Sequence, residues 1–225
     1  KIKGQPVLYS PYLVLPAKRR RQSGFLMPEL STGDRNGFSL NLPYFHVLGP
    51  DRDATVYANM MSNRGLMLGL EYRTTPDLMT KGYFRADWLN DSLSDADMDQ
   101  FQNDRWGRPN TERYWIRGKY NGKLFSPEWK TKFDVDLVSD QDYLREFEEG
   151  YTGYDDTNDY FESEFGRDLD DNDDPVRENR DHLQKIWPRY SFNADLLWYD
   201  DVVKRRQADT DDTLQQLPAL TFDAL

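Results

Sequence analysis

The sequence contains no cysteine, only two histidines and no long apolar run. Without cysteine, the chain can form neither a disulfide framework nor a thiolate-ligated metal site. His46 and His182 are far apart in the sequence, so neither a zinc site nor a histidine-based catalytic triad is predicted. No stretch reaches the ~18 apolar residues of a transmembrane helix. This excludes a helical span but not a β-barrel, whose strands need only ~10 alternating residues.

Basic residues are outnumbered by acidic ones, and the imbalance is local. The chain has 29 lysines and arginines against 40 aspartates and glutamates, a net charge of -11. Between Asp140 and Asp181 there are 17 acidic and 4 basic residues, which defines an acidic insertion at about residues 140–180. Nucleic-acid binding is not expected, because such proteins present a basic surface.

Aromatic residues are plentiful, with 12 Phe, 14 Tyr and 6 Trp, although the apolar total is only 37%. This mixture argues against disorder and suits β structure. Apolar and charged residues alternate with a period of two along successive segments, most clearly in WKTKFDVDL, residues 129–137. Each predicted strand therefore has one apolar and one charged face, which indicates an all-β fold.

The lengths of the connections carry a second pattern. With strands numbered from the hairpin at Gly24, the long acidic connections, Asp91–Thr111 and Ser139–Arg180, follow the fifth and seventh strands. Long connections after odd strands only would lie at one end of an antiparallel up-and-down meander, as in outer-membrane barrels. A soluble β-sandwich also has strands with one polar face, and alternation alone favours it. The absence of Greek-key returns and the aromatics at strand ends favour the barrel.

Two prolines interrupt the first predicted hairpin, Gly24–Phe45. A loop centred between Arg35 and Asn36 would place Pro28 and Pro43 on one rung, whereas a turn centred on Asn36-Gly37 would displace them by two residues. Proline donates no hydrogen bond to a β-ladder. The pair could therefore weaken the pairing of a seam, or protect an edge strand from aggregation, and the residues alone favour protection.

Several segments in this order and spacing resemble one protein family. They are PVLYSPYLVLP and GFLMPEL near the start, NGFSLNLPYF, DRDATVYANMMSNRGLMLGLEYR, and DLVSDQDYLREF at residues 136–147. Over residues 1 to about 147 the chain resembles the LptD family of lipopolysaccharide-assembly proteins of the Gram-negative outer membrane. Residues 150–180 show no family pattern.

The resemblance implies a periplasmic β-jelly-roll domain followed by a barrel of about 26 antiparallel strands. Residues 1–22 would be the end of the jelly roll and a linker, and residues 23–225 the N-terminal portion of a transmembrane β-barrel, with the acidic insertion extracellular. The family is not enzymatic and needs no cofactor. It inserts lipopolysaccharide into the outer leaflet through a lateral gate beside the first strands. The implied partners are lipopolysaccharide, an LptE-like plug lipoprotein, an LptA-like periplasmic bridge and the lipids of the outer membrane, where the protein would reside.

The same resemblance suggests site residues. Pro28 and Pro43 would belong to the lateral gate. Seven cations would face the lumen and could guide lipid phosphates: Arg73, Arg85, Arg113, Arg117, Lys119, Lys130 and Lys132. Alternatively, they line a hydrated wall and are neutralised by nearby carboxylates, which are Glu71, Asp87, Asp134 and Asp136.

The run Asp168–Asp174 lacks the sixth-position glycine and terminal glutamate of a calcium-binding EF-hand loop. A solvated external loop is predicted there, and no metal site. The competing function is that of a soluble carbohydrate-binding or hydrolytic β-sheet domain.

Overall fold

A computed structural model describes residues 21–93, 111–151, 153–206 and 213–224. The predicted end of a jelly-roll domain, residues 1–22, lies outside the described residues except for its last two positions. Most of the predicted loop Asp91–Thr111 also lies outside them. None of the helices in the described ranges is both long and apolar enough to cross a membrane.

The chain folds almost entirely as antiparallel strands, with three short helices among the described residues. The helices are α1 (Gln141–Glu146), α2 (Tyr154–Phe165) and α3 (Val202–Arg206). The strands are β1 (Gly24–Phe25), β2 (Glu29–Gly33), β3 (Gly37–Val47), β4 (Arg52–Met61), β5 (Gly65–Asp77), β6 (Thr80–Asn90), β7 (Glu112–Leu124), β8 (Ser126–Val138), β9 (Val176–Ile186), β10 (Tyr190–Asp201) and β11 (Gln216–Ala224).

All of these strands belong to one sheet, in which each strand from β3 to β11 pairs with its neighbour in sequence. β1 and β2 both pair with β3 and together form one edge, and β11 forms the other. The described strands leave the sheet open. This arrangement confirms the predicted all-β antiparallel up-and-down meander.

The connections divide by length as the sequence predicts. The connections at one end of the sheet, the short-loop end, are residues 48–51, 78–79, 125 and 187–189. Those at the other end, the long-loop end, include residues 91–111, 139–175 and 202–215. One boundary is wrong: β9 begins at Val176, whereas the connection was predicted to run to Arg180. Few apolar residues mark the start of this strand, because Arg177 and Asn179 are buried polar side chains.

The first hairpin has a different register from the one predicted. Gly33 pairs with Gly37 across a three-residue loop, and Gly37 has a φ of +66°, which glycine adopts without strain. Nearer the start of the hairpin, Phe25 pairs with Tyr44, which shifts the register by one residue between β1 and β2.

This shift separates the two prolines. Pro28 lies in the break between β1 and β2, and the carbonyl oxygen of Pro43 accepts a hydrogen bond from the Leu26 nitrogen at 2.9 Å. The prediction that Pro28 and Pro43 share one rung is therefore wrong, because the three-residue loop is centred on Arg35 and the first arm contains an irregularity.

The sheet has two unlike faces. The apolar face exposes large hydrophobic side chains, with exposed fractions between 40% and 54% for Val56, Leu68, Leu70, Trp88 and Ile116. The polar face carries the alternate residues of the same strands, among them Glu71, Arg85, Asp87, Arg117 and Asp136, all of which are buried. A buried polar face needs a cover, and the connection between β8 and β9 provides it.

The acidic insertion folds as α1 and α2 and packs on the polar face. Asp140 caps α1 by accepting a hydrogen bond from the Tyr143 nitrogen at 3.0 Å, and α2 ends at Gly166 in the left-handed conformation that helix ends favour. The helices and the sheet share one hydrophobic core, which includes Met67, Leu89, Trp115, Val138, Tyr143, Leu144, Phe147, Phe161 and Phe165. The sequence left the fold of this insertion open, although its aromatic residues recur at helical spacing and are buried. The run Asp168–Asp174, for which a solvated loop is predicted, forms neither helix nor strand, and Leu169 is the one buried residue in it.

Candidate functional site

The seven predicted cations lie on the polar face, on strands β5 to β8. Successive strands place them in register: Arg85 pairs with Arg117 across β6 and β7, and Lys119 pairs with Asp134 across β7 and β8. The structure separates the seven into two groups. Arg73, Arg85, Arg113, Arg117 and Lys119 are each ion-paired, whereas Lys130 and Lys132 are exposed.

An arginine cluster occupies the long-loop end of the polar face, where Arg64 and Arg113 meet Asp91, Asp140 and Glu146. The Arg113 guanidinium lies 2.6 Å from Asp140, 2.6 Å from Glu146 and 3.1 Å from Asp91. Arg64 pairs with Asp91 and Glu146 from the other side. All five residues have side chains that are at most 5% exposed, so the cluster links β6, β7 and α1 through buried charge.

The arginines also control the ionisation of Asp91, which follows the end of β6. Burial favours the neutral carboxyl, but the hydrogen bonds and charge of Arg64, together with Arg113, outweigh this effect and hold the pKa of Asp91 below its usual value. Asp91 is therefore ionised at neutral pH, as the ion pairs require.

A second group of charges lies at the middle of the polar face. Arg85 Nε is 3.0 Å from Asp87, and Arg117 pairs with the same carboxylate. The hydroxyl groups of Tyr57 and Tyr83 donate to Glu71 at 2.9 and 3.1 Å. These contacts match the alternative reading of the cations, in which Glu71 and Asp87 neutralise them.

Arg177 on β9 extends this network and was not predicted. Its Nε donates to Asp136 at 2.8 Å, and the same carboxylate accepts the indole N–H of Trp115 at 2.7 Å. The Arg117 guanidinium also lies 3.7 Å from the centre of the Trp115 ring, a cation–π contact. Arg64 was also missed, because Arg64 and Arg177 both lie outside the runs in which apolar and charged residues alternate. The segment SDQDYLREF supplies Asp140 and Glu146 and was the sequence signal that could have indicated the cluster.

The edge of the sheet contacts the insertion through one carboxylate. Glu29 on β2 accepts hydrogen bonds from the Asn41 side chain at 3.1 Å and from the Tyr151 nitrogen at 3.4 Å. Arg85 donates to the carbonyl oxygen of Tyr151. The turn before α2 therefore joins the edge strand to the middle of the polar face.

Pro43 lies on β3 with its carbonyl group directed at the edge strand. Because the N–H and C=O of one strand residue point to the same neighbour, its missing donor also faces β1 and β2. The pairing of β3 with β4 runs without interruption from Ser39 to Val47. The absence of that donor therefore weakens the edge and not the interior of the sheet.

A long antiparallel meander with one exposed apolar face and one charged face, left open at both edges, has the architecture of part of a β-barrel wall. The family model described as LPS transport system D (LptD) matches residues 111–224. The chain therefore belongs to the LptD family.

Curated relatives agree with this assignment. The LPS-assembly protein LptD of Pseudomonas savastanoi pv. phaseolicola is 36% identical over 156 residues, which cover 68% of this chain and 16% of that protein. The LptD proteins of Sodalis glossinidius and Pectobacterium atrosepticum are 36% and 35% identical, each over 67% of this chain and 18% of the relative. The chain thus spans less than a fifth of the length of these relatives.

Proposed function

We propose that this chain forms the first part of the wall of an outer-membrane barrel that inserts lipopolysaccharide into the outer leaflet. The observation that carries the proposal is the division of the sheet into an exposed apolar face and a charged face. Lipid would contact the apolar face, and the charged face would line the lumen through which the sugars pass. The names of the relatives, LPS-assembly proteins, support lipopolysaccharide as the substrate.

The proposal includes the rest of the machinery implied by membership of the family. Residues 1–22 would end a periplasmic jelly-roll domain, residues 23–225 would begin the barrel, and the helical insertion would lie on the extracellular side. An LptA-like periplasmic bridge would deliver the lipid, and an LptE-like lipoprotein would occupy the lumen. The chain would contribute a passage and not a catalytic centre.

The edge formed by β1 and β2 would be one side of the lateral gate. Its support is the position of the prolines: Pro28 lies in the break of the edge strand, and the missing donor of Pro43 faces that strand. A strand held by fewer ladder hydrogen bonds separates from its neighbours at lower cost. The edge would therefore open more readily than any interior pair of strands.

The gate is tested by replacing both prolines with alanine, Pro28→Ala and Pro43→Ala, in the full-length protein. We expect slower appearance of lipopolysaccharide at the cell surface, because restored N–H donors would strengthen the edge pairing. Surface labelling of newly made lipopolysaccharide measures the rate. Pro76→Ala is the matched control, since Pro76 lies at an irregularity of β5 in the sheet interior. Equal rates in the double variant and the wild type would refute the gate.

A further inference from the structure

Lys130 and Lys132 differ from the other cations of the polar face. Within the part of the chain that the structure describes, neither side chain makes an ion pair or a hydrogen bond, and both side chains are exposed. They lie on β8 at the short-loop end, beyond the area that α1 and α2 cover. We propose that these two lysines, with Lys123 of β7, form a binding groove for phosphate esters, which we call the lysine groove.

The strand register brings the three lysines together. Lys130 is the direct cross-strand partner of Lys123, and Lys132 is the partner of Asn121 on β7 and of His182 on β9. The groove encloses about 340 Å³, within the range of small-ligand sites. Its lining also includes Gln184 on β9.

Like charges opposite each other in a sheet are destabilising, so the Lys123–Lys130 pair needs a compensating anion. Asp77 approaches Lys123 at 3.0 Å, but both side chains are more than a third exposed, and such surface pairs contribute little. No acid compensates Lys130 among the described residues.

The nearest carboxylates on the same face are already engaged. Asp134 binds Arg167 at 2.6 Å and Lys119 at 3.5 Å. Asp195 lies 2.6 Å from the His182 ring. The groove therefore keeps a local excess of positive charge that the protein does not neutralise, although the chain as a whole is strongly acidic.

A phosphate ester fits this arrangement best. Lysine binds phosphate as a point charge, and charge-assisted contacts of this kind are the strong ones. Asn121 Oδ1 accepts from Arg167 and Gln184 Nε2 donates to Asn193, which leaves Asn121 Nδ2 and Gln184 Oε1 to contact sugar hydroxyls beside the phosphate. Met79, 70% exposed, lines the same groove and offers an apolar contact at its rim. The proposed ligand is thus a phosphorylated saccharide that carries an apolar chain. Free phosphate has the same charged group and is the alternative ligand.

This inference rests on the proposed function, since it assigns the phosphate groups of the transported lipid to one position in the lumen. It differs from that function in requiring two particular lysines. The five paired cations are not expected to take part, because their charge is already matched.

The test uses the full-length protein in detergent and the double variant Lys130→Gln/Lys132→Gln. Equilibrium binding is measured to a bis-phosphorylated lipid A, to the same lipid after removal of its phosphates, and to inorganic phosphate. The matched control is Arg52→Gln/Arg189→Gln, which removes the same charge from residues at the same end of the sheet. We expect the lysine variant to bind the phosphorylated lipid about tenfold more weakly, as two charged contacts are lost, with no change for the dephosphorylated lipid.

The outcomes are distinct. A loss that depends on the lipid phosphates, and that the control lacks, supports the groove with the lipid headgroup as ligand. Lysine-dependent binding of inorganic phosphate, without any effect on the lipid, supports the phosphate chemistry with free phosphate as ligand. Equal behaviour of the lysine and control variants overturns the groove. Failure of the wild type to bind any lipid would contradict the proposed function, while the inorganic phosphate arm would still test the groove.

Discussion

The arginine cluster and the lysine groove lie on the same face of the same sheet but treat charge in opposite ways. At the long-loop end, Arg64 and Arg113 are buried beneath α1 and paired with three carboxylates. At the short-loop end, Lys130 and Lys132 are exposed and lack ion pairs among the described residues. Burying an unpaired charge costs several kcal/mol, whereas an exposed one stays hydrated. The helical cover therefore decides which cations must be neutralised and which stay available to a ligand.

The residue types follow the same division. Arginine offers a planar fork of five donors that can satisfy several carboxylates at once, as Arg113 does with Asp91, Asp140 and Glu146. Lysine is a strongly hydrated point charge on a flexible stem. The covered end thus uses arginine to join elements, and the open end uses lysine, which suits a ligand that comes and goes.

Removing a buried cation should produce the largest difference in stability between the two ends of the sheet. Arg113→Ala leaves buried carboxylates without their partner, and we expect the opening free energy of α1 to fall by about 3–5 kcal/mol. Hydrogen exchange of the α1 backbone amides in the full-length protein measures it. Lys132→Ala at the open end should change the same quantity by no more than about 0.5 kcal/mol. Similar losses in the two variants would show that the two ends do not differ as described.

A smaller loss of stability is expected when an apolar side chain of the helical cover is shortened. Leu144 of α1 is fully buried, and Leu144→Ala should lower the opening free energy of α1 by about 2–4 kcal/mol, since the helix would leave a cavity against the sheet. Leu78→Ala is the control with the same chemistry, because Leu78 is fully exposed in a short turn. Hydrogen exchange again gives the measurement, and unchanged protection of α1 in Leu144→Ala would mean that apolar packing does not hold the cover.

The smallest expected effect is on how the stability of the helical cover depends on acidic pH. The pKa of Asp91 is lowered in the folded protein, so its contribution to stability is present above its unfolded value of about 3.9 and is lost as the pH falls through the folded value. The cover should therefore remain docked down to about pH 4 and loosen below it. Asp91→Asn should flatten this acid dependence in a pH series of hydrogen exchange, where wild-type behaviour of the variant would contradict the assignment.

Much of the sheet could be predicted from local pattern. Period-two alternation places Arg85, Asp87 and Arg117 on one face because successive strand residues point to opposite sides. The parity of the connections places all long loops at one end because antiparallel strands reverse direction each time. Both arguments need only neighbours in the sequence, and both are confirmed.

The register and the cover could not be predicted in this way. The prediction that Pro28 and Pro43 share one rung assumed a turn centred between Arg35 and Asn36. The three-residue loop and the irregular first arm change the partner of every residue in the hairpin. The acidic composition of residues 140–180 predicted a long connection but not its secondary structure, since charge dominates the segment. Aromatic residues at helical spacing, among them Phe161 and Phe165, are buried against the sheet and hold the segment as helices.

By itself, the sequence determined the antiparallel order of the strands, the two faces of the sheet and the end at which the long loops lie. These features follow from the fixed geometry of the strand. Only the tertiary structure decided which cations are neutralised, because a charge gains or loses its partners through contacts between residues far apart in the chain, such as Arg64 and Glu146. Seven cations that look equivalent in the sequence are therefore five ion-paired residues, four of them buried, and two exposed lysines.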